Sequence, residues 1–261
     1  MKDLFKSLSE LSKKLFTAKG CLVMLDFDGT LSPLANTPAL AYLPKTNKEI
    51  LKKISRFAHT AIISGRGLSD IKQKIGIKGL IYAGNHGLEW QIGSEQGKIK
   101  LPETILRAMA LSDKRLNNLR KKYPGALLEN KGLTLSLHYR LVSSNLTKQL
   151  LKEARETLAP FQKQRLMEVY EDKKTLEIRP NLRWNKGYLV KFLRQKLGKQ
   201  LLTIYIGDSA TDEDAFKILR SGITIKVGKG RDSEAKYRCH DIKQVNLFLN
   251  WLSDKLIWGR K

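Results

Sequence analysis

The sequence predicts an α/β protein: a Rossmann-like core built on a parallel sheet, with an inserted α+β segment. Three observations predict it. Short apolar runs of four to six residues alternate with helical patterns at both ends of the chain. Glycine-rich polar signatures follow those runs directly, where open parallel sheets place their sites. Between residues 101 and 182 the rhythm changes to helix, strand, strand, repeated twice. The expected organisation is therefore core 1–100, inserted segment 101–182 and returning core 183–261.

The elements follow in order. Leu4, Phe5, Leu8, Leu11, Leu15 and Phe16 recur at helical spacing, interrupted by Lys6, Lys13 and Lys14. This predicts an amphipathic helix on the core edge rather than a signal peptide, which needs an unbroken apolar stretch. The run from Cys21 to Leu25 is a buried strand ending in Asp26-Phe27-Asp28-Gly29-Thr30. Residues i and i+2 of a strand face the same way, which pairs the carboxylates of Asp26 and Asp28. Gly29 and Thr30 are expected to turn the chain and offer backbone N–H groups to an anion. Such a pair beside anion-binding amides suits a site where a divalent cation meets a phosphate.

Pro44 to Phe57 reads as a helix, with Ile50, Leu51, Ile54 and Phe57 on one stripe. The strand Thr60 to Ile63 ends in Ser64-Gly65-Arg66, and Ser69 to Ile75 forms a short helix. The strand Leu80 to Ala83 ends in Gly84-Asn85-His86-Gly87. In the returning core, the strand Leu201 to Ile206 ends in Gly207-Asp208, with a helix near Glu213 to Leu219 and a strand over Ile223 to Val227.

The inserted segment reads αββαββ. Its helices are expected over Glu103 to Lys121 and Ser144 to Leu158, and its strands over Ala126 to Glu129, Leu133 to Arg140, Arg165 to Tyr170 and Thr175 to Ile178. Leu133, Leu135, Leu137 and Tyr139 alternate with Thr134, Ser136, His138 and Arg140. The apolar set should pack on the helices, and the polar set should look outward onto a catalytic site.

Composition bounds the function. The 261 residues suffice for a full core and two units. No 18-residue apolar run exists, so no transmembrane helix is expected. Two cysteines, Cys21 and Cys239, make no disulfide framework and fit a reducing cytoplasm. Lysine and arginine number 49 against 25 acids, a net charge of +24. The basic residues are spread along the chain, with no basic tail and no recognised nucleic-acid motif, so a solvated basic surface is the expectation. Part of that charge could draw an anionic substrate to the cleft.

Asp26/Asp28, Ser64, Lys186 and Asp208/Asp212 occur at successive strand ends or helix starts. Lys186 begins a helix, where a cation opposes the macrodipole, a poor structural choice and a better phosphate ligand. This order resembles the haloacid dehalogenase superfamily of phosphotransferases. The segments LDFDGTLSP, SGR (64–66), GNHGLE (84–89), ENKGLTLSLHYR (129–140), LEIRP (176–180), NKG (185–187) and GDSATDEDAF (207–216) together are similar to the trehalose-6-phosphate phosphatase family, over about residues 21 to 230.

The resemblance implies an inserted cap domain, a magnesium ion and an aspartyl-phosphate route. It implies that Asp26 is nucleophile and metal ligand, and that Asp28 is the acid/base and a metal ligand through its backbone carbonyl. Ser64 and Lys186 would bind phosphate, Asp208 would complete the metal site, and Asp212 would support it through Lys186 or metal-bound water. Arg66, Asn85 and His86 would line the floor. Glu129, Lys131, Arg140 and Glu177 would bind sugar hydroxyls from the cap, with His138 a weaker candidate. The late motif departs from the family's usual GDD: Ser209 follows Asp208, adds no charge, and predicts a weaker magnesium site.

The residue types suit these roles. An aspartyl phosphate splits one displacement into two easier ones. A hard cation neutralises the phosphate for an anionic nucleophile, and lysine is a compact charge for the transferring group. The expected substrate is trehalose 6-phosphate, with a monomeric cytoplasmic enzyme that needs neither nucleic acid nor membrane. The alternatives are a phosphatase of another sugar phosphate (glucosyl- or mannosyl-phosphoglycerate, or sucrose phosphate), a nucleic-acid-binding protein on a degenerate enzyme fold, and a synthase-associated regulatory domain. The complete acidic set disfavours the last two.

Overall fold

In the computed structural model, residues 1–230 and 232–258 are described. The chain divides into two compact units: Met1–Leu34, Ala41–Gly97 and the chain from Trp184 onward, and Ala35–Leu40 with Lys98–Arg183.

The first unit is a sheet with helices. Its strands among the described residues are β1 (Lys2–Asp3), β2 (Cys21–Leu25), β3 (His59–Ile63), β4 (Ile81–Gly84), β5 (Glu89–Ile92), β6 (Glu95–Lys98), β11 (Leu202–Gly207), β12 (Ile223–Val227) and β13 (Tyr237–Cys239), numbered along the chain. They lie in the order β1-β13-β12-β11-β2-β3-β4-β5-β6. Pairing is parallel from β1 across to β4, and β5 turns back antiparallel on β4. Every residue of β2 is buried, as a central parallel strand covered on both faces requires. The chain leaves β2 for β3 on one side, while β11 lies on the other. Strand order therefore reverses at β2, and open sheets form their crevice at the carboxyl end of such a point.

Helix α6 (Lys186–Leu197) covers one face through Leu189, Val190 and Leu193, which pack with Leu22, Met24 and Tyr205. Helices α2 (Lys45–Ile54) and α8 (Ile242–Trp258) pack on each other. Helix α1 (Leu8–Phe16) has only Leu11 fully buried, in keeping with an edge helix, and α3 (Leu68–Ile75) closes with Gly76 in the left-handed region. The expected helix from Pro44 to Phe57 is shorter at both ends, because Pro44 serves as the N-cap residue. Strands β1, β5, β6 and β13 are short or lie near the sheet edges, and their sequences carry little apolar periodicity.

The second unit contains α4 (Glu103–Arg120), β7 (Leu127–Asn130), β8 (Leu135–His138), α5 (Ser144–Lys163), β9 (Met167–Asp172) and β10 (Thr175–Pro180). Its sheet has the order β7-β8-β10-β9, antiparallel throughout. Leu135, Leu137, Leu176 and Ile178 alternate onto one face and pack with Leu116, Leu150, Ala154 and Leu158 of the two helices. Strand β8 is shorter than expected, since Lys131 N–H bonds to the Thr134 carbonyl and the hairpin occupies that stretch. Helix α5 runs past Leu158 and through Pro160 to Lys163.

Candidate active site

The two leading carboxylates do not continue the strand. Strand β2 ends at Leu25, and the next residues form a turn in which Thr30, Leu31 and Ser32 donate to the Phe27 carbonyl. The Gly29 N–H goes to Ser32 O at 2.8 Å. The amides of Gly29 and Thr30, expected to face an anion, thus hold the turn itself. Gly29 has φ +89°, and a Cβ there would lie 1.8 Å from Asp208 Oδ2. Only glycine lets the first loop pass this close to the Asp208 carboxylate.

Asp26 is 5% exposed. Its Oδ1 accepts from Lys186 Nζ at 2.7 Å, and the same ammonium donates to Asp212 Oδ1 at 2.7 Å. Lys186 is the first residue of α6, after Asn185 caps that helix by accepting from the Tyr188 N–H. A fully buried cation at a helix N-terminus needs strong compensation, which two carboxylates supply. Burial works against the Lys186 charge, yet Asp212 and Asp26 outweigh it and hold the ammonium above its ordinary value. Burial likewise opposes the Asp212 charge, but Lys186 and Ser209 hold that carboxyl down at about 2.

Asp212 is saturated by protein donors. Tyr205 OH donates to Oδ1 at 2.8 Å, and the Ser209 hydroxyl and N–H donate to Oδ2 at 2.6 and 2.9 Å. Of the two supporting routes expected for Asp212, the structure shows the Lys186 contact. The Ser209 hydroxyl and N–H close a capping box with Asp212.

Asp28 faces a different partner. Arg66 grips it with both prongs, Nε to Oδ2 at 2.7 Å and Nη2 to Oδ1 at 2.8 Å, and also reaches Asp70 at 2.9 Å. Burial works against Arg66, but Asp28 and Asp70 keep it firmly charged. Ser64, 1% exposed, accepts the Arg66 N–H on its hydroxyl. Asn85 and His86 both adopt positive φ, 50° and 58°. Such strain persists only where neighbours fix it. Here the Asn85 N–H bonds to Arg66 O, the His86 N–H to Ser64 O, and Asn85 Nδ2 to Glu89 Oε1. Thr30 Oγ1 is buried and has no hydrogen-bond partner among the described residues.

Four residues of this network were given no role in the sequence reading: Tyr205, Glu89, Asp70 and Lys226. Lys226 Nζ donates to the carbonyls of Asp208 and Ser209 at 2.9 and 3.3 Å, fixing the Asp208 loop. Its trace was a lone cation in the apolar run Ile223–Val227. Tyr205 left the same kind of trace, a polar tip inside a fully buried strand that must find a partner.

Asp26, Asp208 and Asp212 can each offer a carboxylate oxygen, all within 4.8 Å of one another. Hard oxygen donors at this spacing fit a magnesium-like ion. Both Asp212 oxygens already accept from protein donors, so within this trio Asp26 and Asp208 could hold such an ion with Asp212 beside them.

In the second unit, Glu129, Ser136 and Glu177 align across β7, β8 and β10. Ser136 Oγ donates to Glu177 Oε1 at 2.7 Å, Lys131 lies 3.3 Å from Glu177 Oε2, and His138 Nε2 lies 3.0 Å from Glu129 Oε2. The weaker candidate His138 therefore belongs to this cluster. Arg140 does not. It lies two residues past the end of β8, in the following turn, and donates to Lys173 O at the β9–β10 turn.

A parallel sheet with this acidic crevice at its switch point defines a haloacid-dehalogenase-type hydrolase core. A haloacid dehalogenase-like hydrolase from Bacteroides thetaiotaomicron has the same fold, at 15% identity and a TM-score of 0.64 over 90% of this chain and 100% of that one. The C-terminal domain of the C. albicans trehalose-6-phosphate phosphatase superposes with a TM-score of 0.84 at 24% identity, covering 97% of this chain and 98% of that one. The trehalose-phosphatase family profile matches residues 24–243. Trehalose-phosphate phosphatase B of Arabidopsis thaliana is 34% identical over 93% of this chain and 68% of its own length. The chain belongs to the trehalose-phosphatase family.

Proposed function

We propose that the protein hydrolyses trehalose 6-phosphate to trehalose and phosphate through a phosphorylated Asp26. The observation that carries this reading is the Asp26–Lys186–Asp212 network beside Asp208, in a chain whose relatives carry trehalose-phosphate phosphatase names. Asp26 Oδ attacks phosphorus, and the sugar oxygen leaves with a proton from Asp28. Asp28 then takes a proton from the water that cleaves the acyl phosphate. The two-pronged Arg66 grip holds Asp28 as the carboxylate that takes the water's proton; to give a proton to the leaving oxygen Asp28 must be protonated and release one Arg66 contact. Lys186 and Ser64 hold the transferring group, with Lys186 positioned by Asp212. Asp26 and Asp208 would hold a magnesium ion, which when bound neutralises the phosphate oxygens.

The segment 101–182, inserted between 1–100 and 183–261, is in this reading the cap that selects the sugar. Glu129, Lys131 and Glu177, with His138, offer acceptors and donors to hydroxyls. Arg140, held in the turn past the end of β8, and the floor residues Asn85 and His86 have secondary parts. The substrate is then a small sugar phosphate, handled by a monomeric cytoplasmic enzyme. The two cysteines, both buried, are in keeping with that compartment. Among the described residues, no helix is long and apolar enough to cross a membrane.

The test is phosphate release by Asp26→Asn and by chelator-treated parent. Loss of several orders of magnitude in the variant, and reversible arrest by chelator, are expected. Near-parental turnover in either would refute the route.

A further inference from the structure

A second cavity of about 500 Å³ lies in the first unit at the amino end of its parallel strands, opposite the carboxylates. It opens between the end of α1, the residues just before β2, β11 and β12, and the last turns of α6. Lys14, Lys19, Arg194 and Lys199 line it, with Thr17 and Gln200, and no acidic side chain does. Glu10 offsets Lys14 at 2.9 Å. Lys19, Arg194 and Lys199 have no ion-pair partner among the described residues, and Arg194 Nε is buried there without a hydrogen-bond partner.

Ordinary basic side chains spread apart into water. Here three uncompensated cations border one concavity with protein walls, where the field is focused and repulsion is least screened. The volume exceeds that of one phosphate and matches a small organic body carrying it. We propose that this cavity binds a small phosphorylated metabolite, its phosphate held by Arg194, Lys199 and Lys19. The site is separate from the acidic crevice and independent of the phosphatase reading.

The experiment is calorimetric titration of the full chain with inorganic pyrophosphate, in chelator and about 0.15 M salt, where surface charge is screened. Chelator keeps divalent ions from drawing the probe to the carboxylates. One saturable site per chain is expected. Its affinity should fall at least about tenfold in Arg194→Gln/Lys199→Gln, since charge-assisted bonds dominate such binding. It should be unchanged in Asp26→Asn and in Lys6→Gln/Lys53→Gln, which removes the same charge from exposed positions elsewhere. All four positions are at least partly exposed in the two double variants, so both should fold, which circular dichroism checks. Absence of saturable binding, equal loss in the two double variants, or loss in Asp26→Asn would overturn the proposal.

Discussion

Lys186 and Asp26, 160 residues apart in sequence, meet at 2.7 Å with both side chains buried. Asp212 approaches the same ammonium equally closely, so one buried cation holds two carboxylates together. Removing it therefore leaves two buried carboxylates facing each other. Lys186→Met should cost about 3–5 kcal/mol of stability as well as activity. Urea unfolding at neutral pH reads this, and a stability within about 0.5 kcal/mol of parent would contradict the network.

The same network fixes a pH dependence. The Asp212 carboxyl, held at about 2 against an ordinary 3.8, stabilises the fold above roughly pH 4, and that contribution is lost as pH falls toward 2. Lys186, held above 10.5, stabilises fully below 10.5 and loses its contribution only as pH rises past that value. The contribution is thus flat between about pH 4 and 10.5. Asp212→Asn should be more destabilising at pH 7 than at pH 3, by urea midpoints. An equal deficit at both would mean that Asp212 acts through its shape and not its charge.

Gly29 gives a purely geometric prediction. A Cβ placed 1.8 Å from Asp208 Oδ2, on a backbone with φ +89°, must displace the first loop or the carboxylate. Gly29→Ala should weaken magnesium binding by at least about tenfold while the core folds, because ligand placement governs such sites. Direct magnesium titration checks it, and parental affinity would contradict the close approach.

The cap sheet predicts a split between substrates. On the proposed reading Glu129 and Lys131 bind sugar hydroxyls, so in Glu129→Ala and Lys131→Ala turnover of trehalose 6-phosphate should fall far more than hydrolysis of a small aryl phosphate. Arg140→Ala, engaged at the Lys173 turn, should have the smaller effect. Equal losses on both substrates would make these residues supports of the fold.

Much of this was legible in the sequence because it depends on local pattern. Apolar runs bounded by glycine and acid marked β2, β3, β4, β11 and β12, and period-two alternation marked β8 and β10. The edge strands β1, β5, β6 and β13 were not legible, since they are short, and β5 and β6 are largely unburied. The candidate residues carried by loop signatures, Asp26, Asp28, Ser64, Lys186 and Asp208, could be picked out from the sequence. Their couplings could not. That Arg66 grips Asp28 and that Lys226 braces the Asp208 loop depend on contacts between neighbouring strands that sequence alone does not pair, whereas the Ser209–Asp212 cap is local, three residues apart, and went unread beside the acidic motif. The turn amides of Gly29 and Thr30 were misread because local sequence does not say which carbonyl a turn N–H will choose.

The most direct test of the central claim is a substrate panel read by phosphate release: trehalose 6-phosphate, sucrose phosphate, glucosyl- and mannosyl-phosphoglycerate and an aryl phosphate, with one magnesium-loaded preparation. The account predicts that kcat/KM for trehalose 6-phosphate exceeds every other on the order of 10²-fold, as sites that bond hydroxyls discriminate strongly. A higher kcat/KM for any other sugar phosphate, or no turnover of trehalose 6-phosphate, would contradict it.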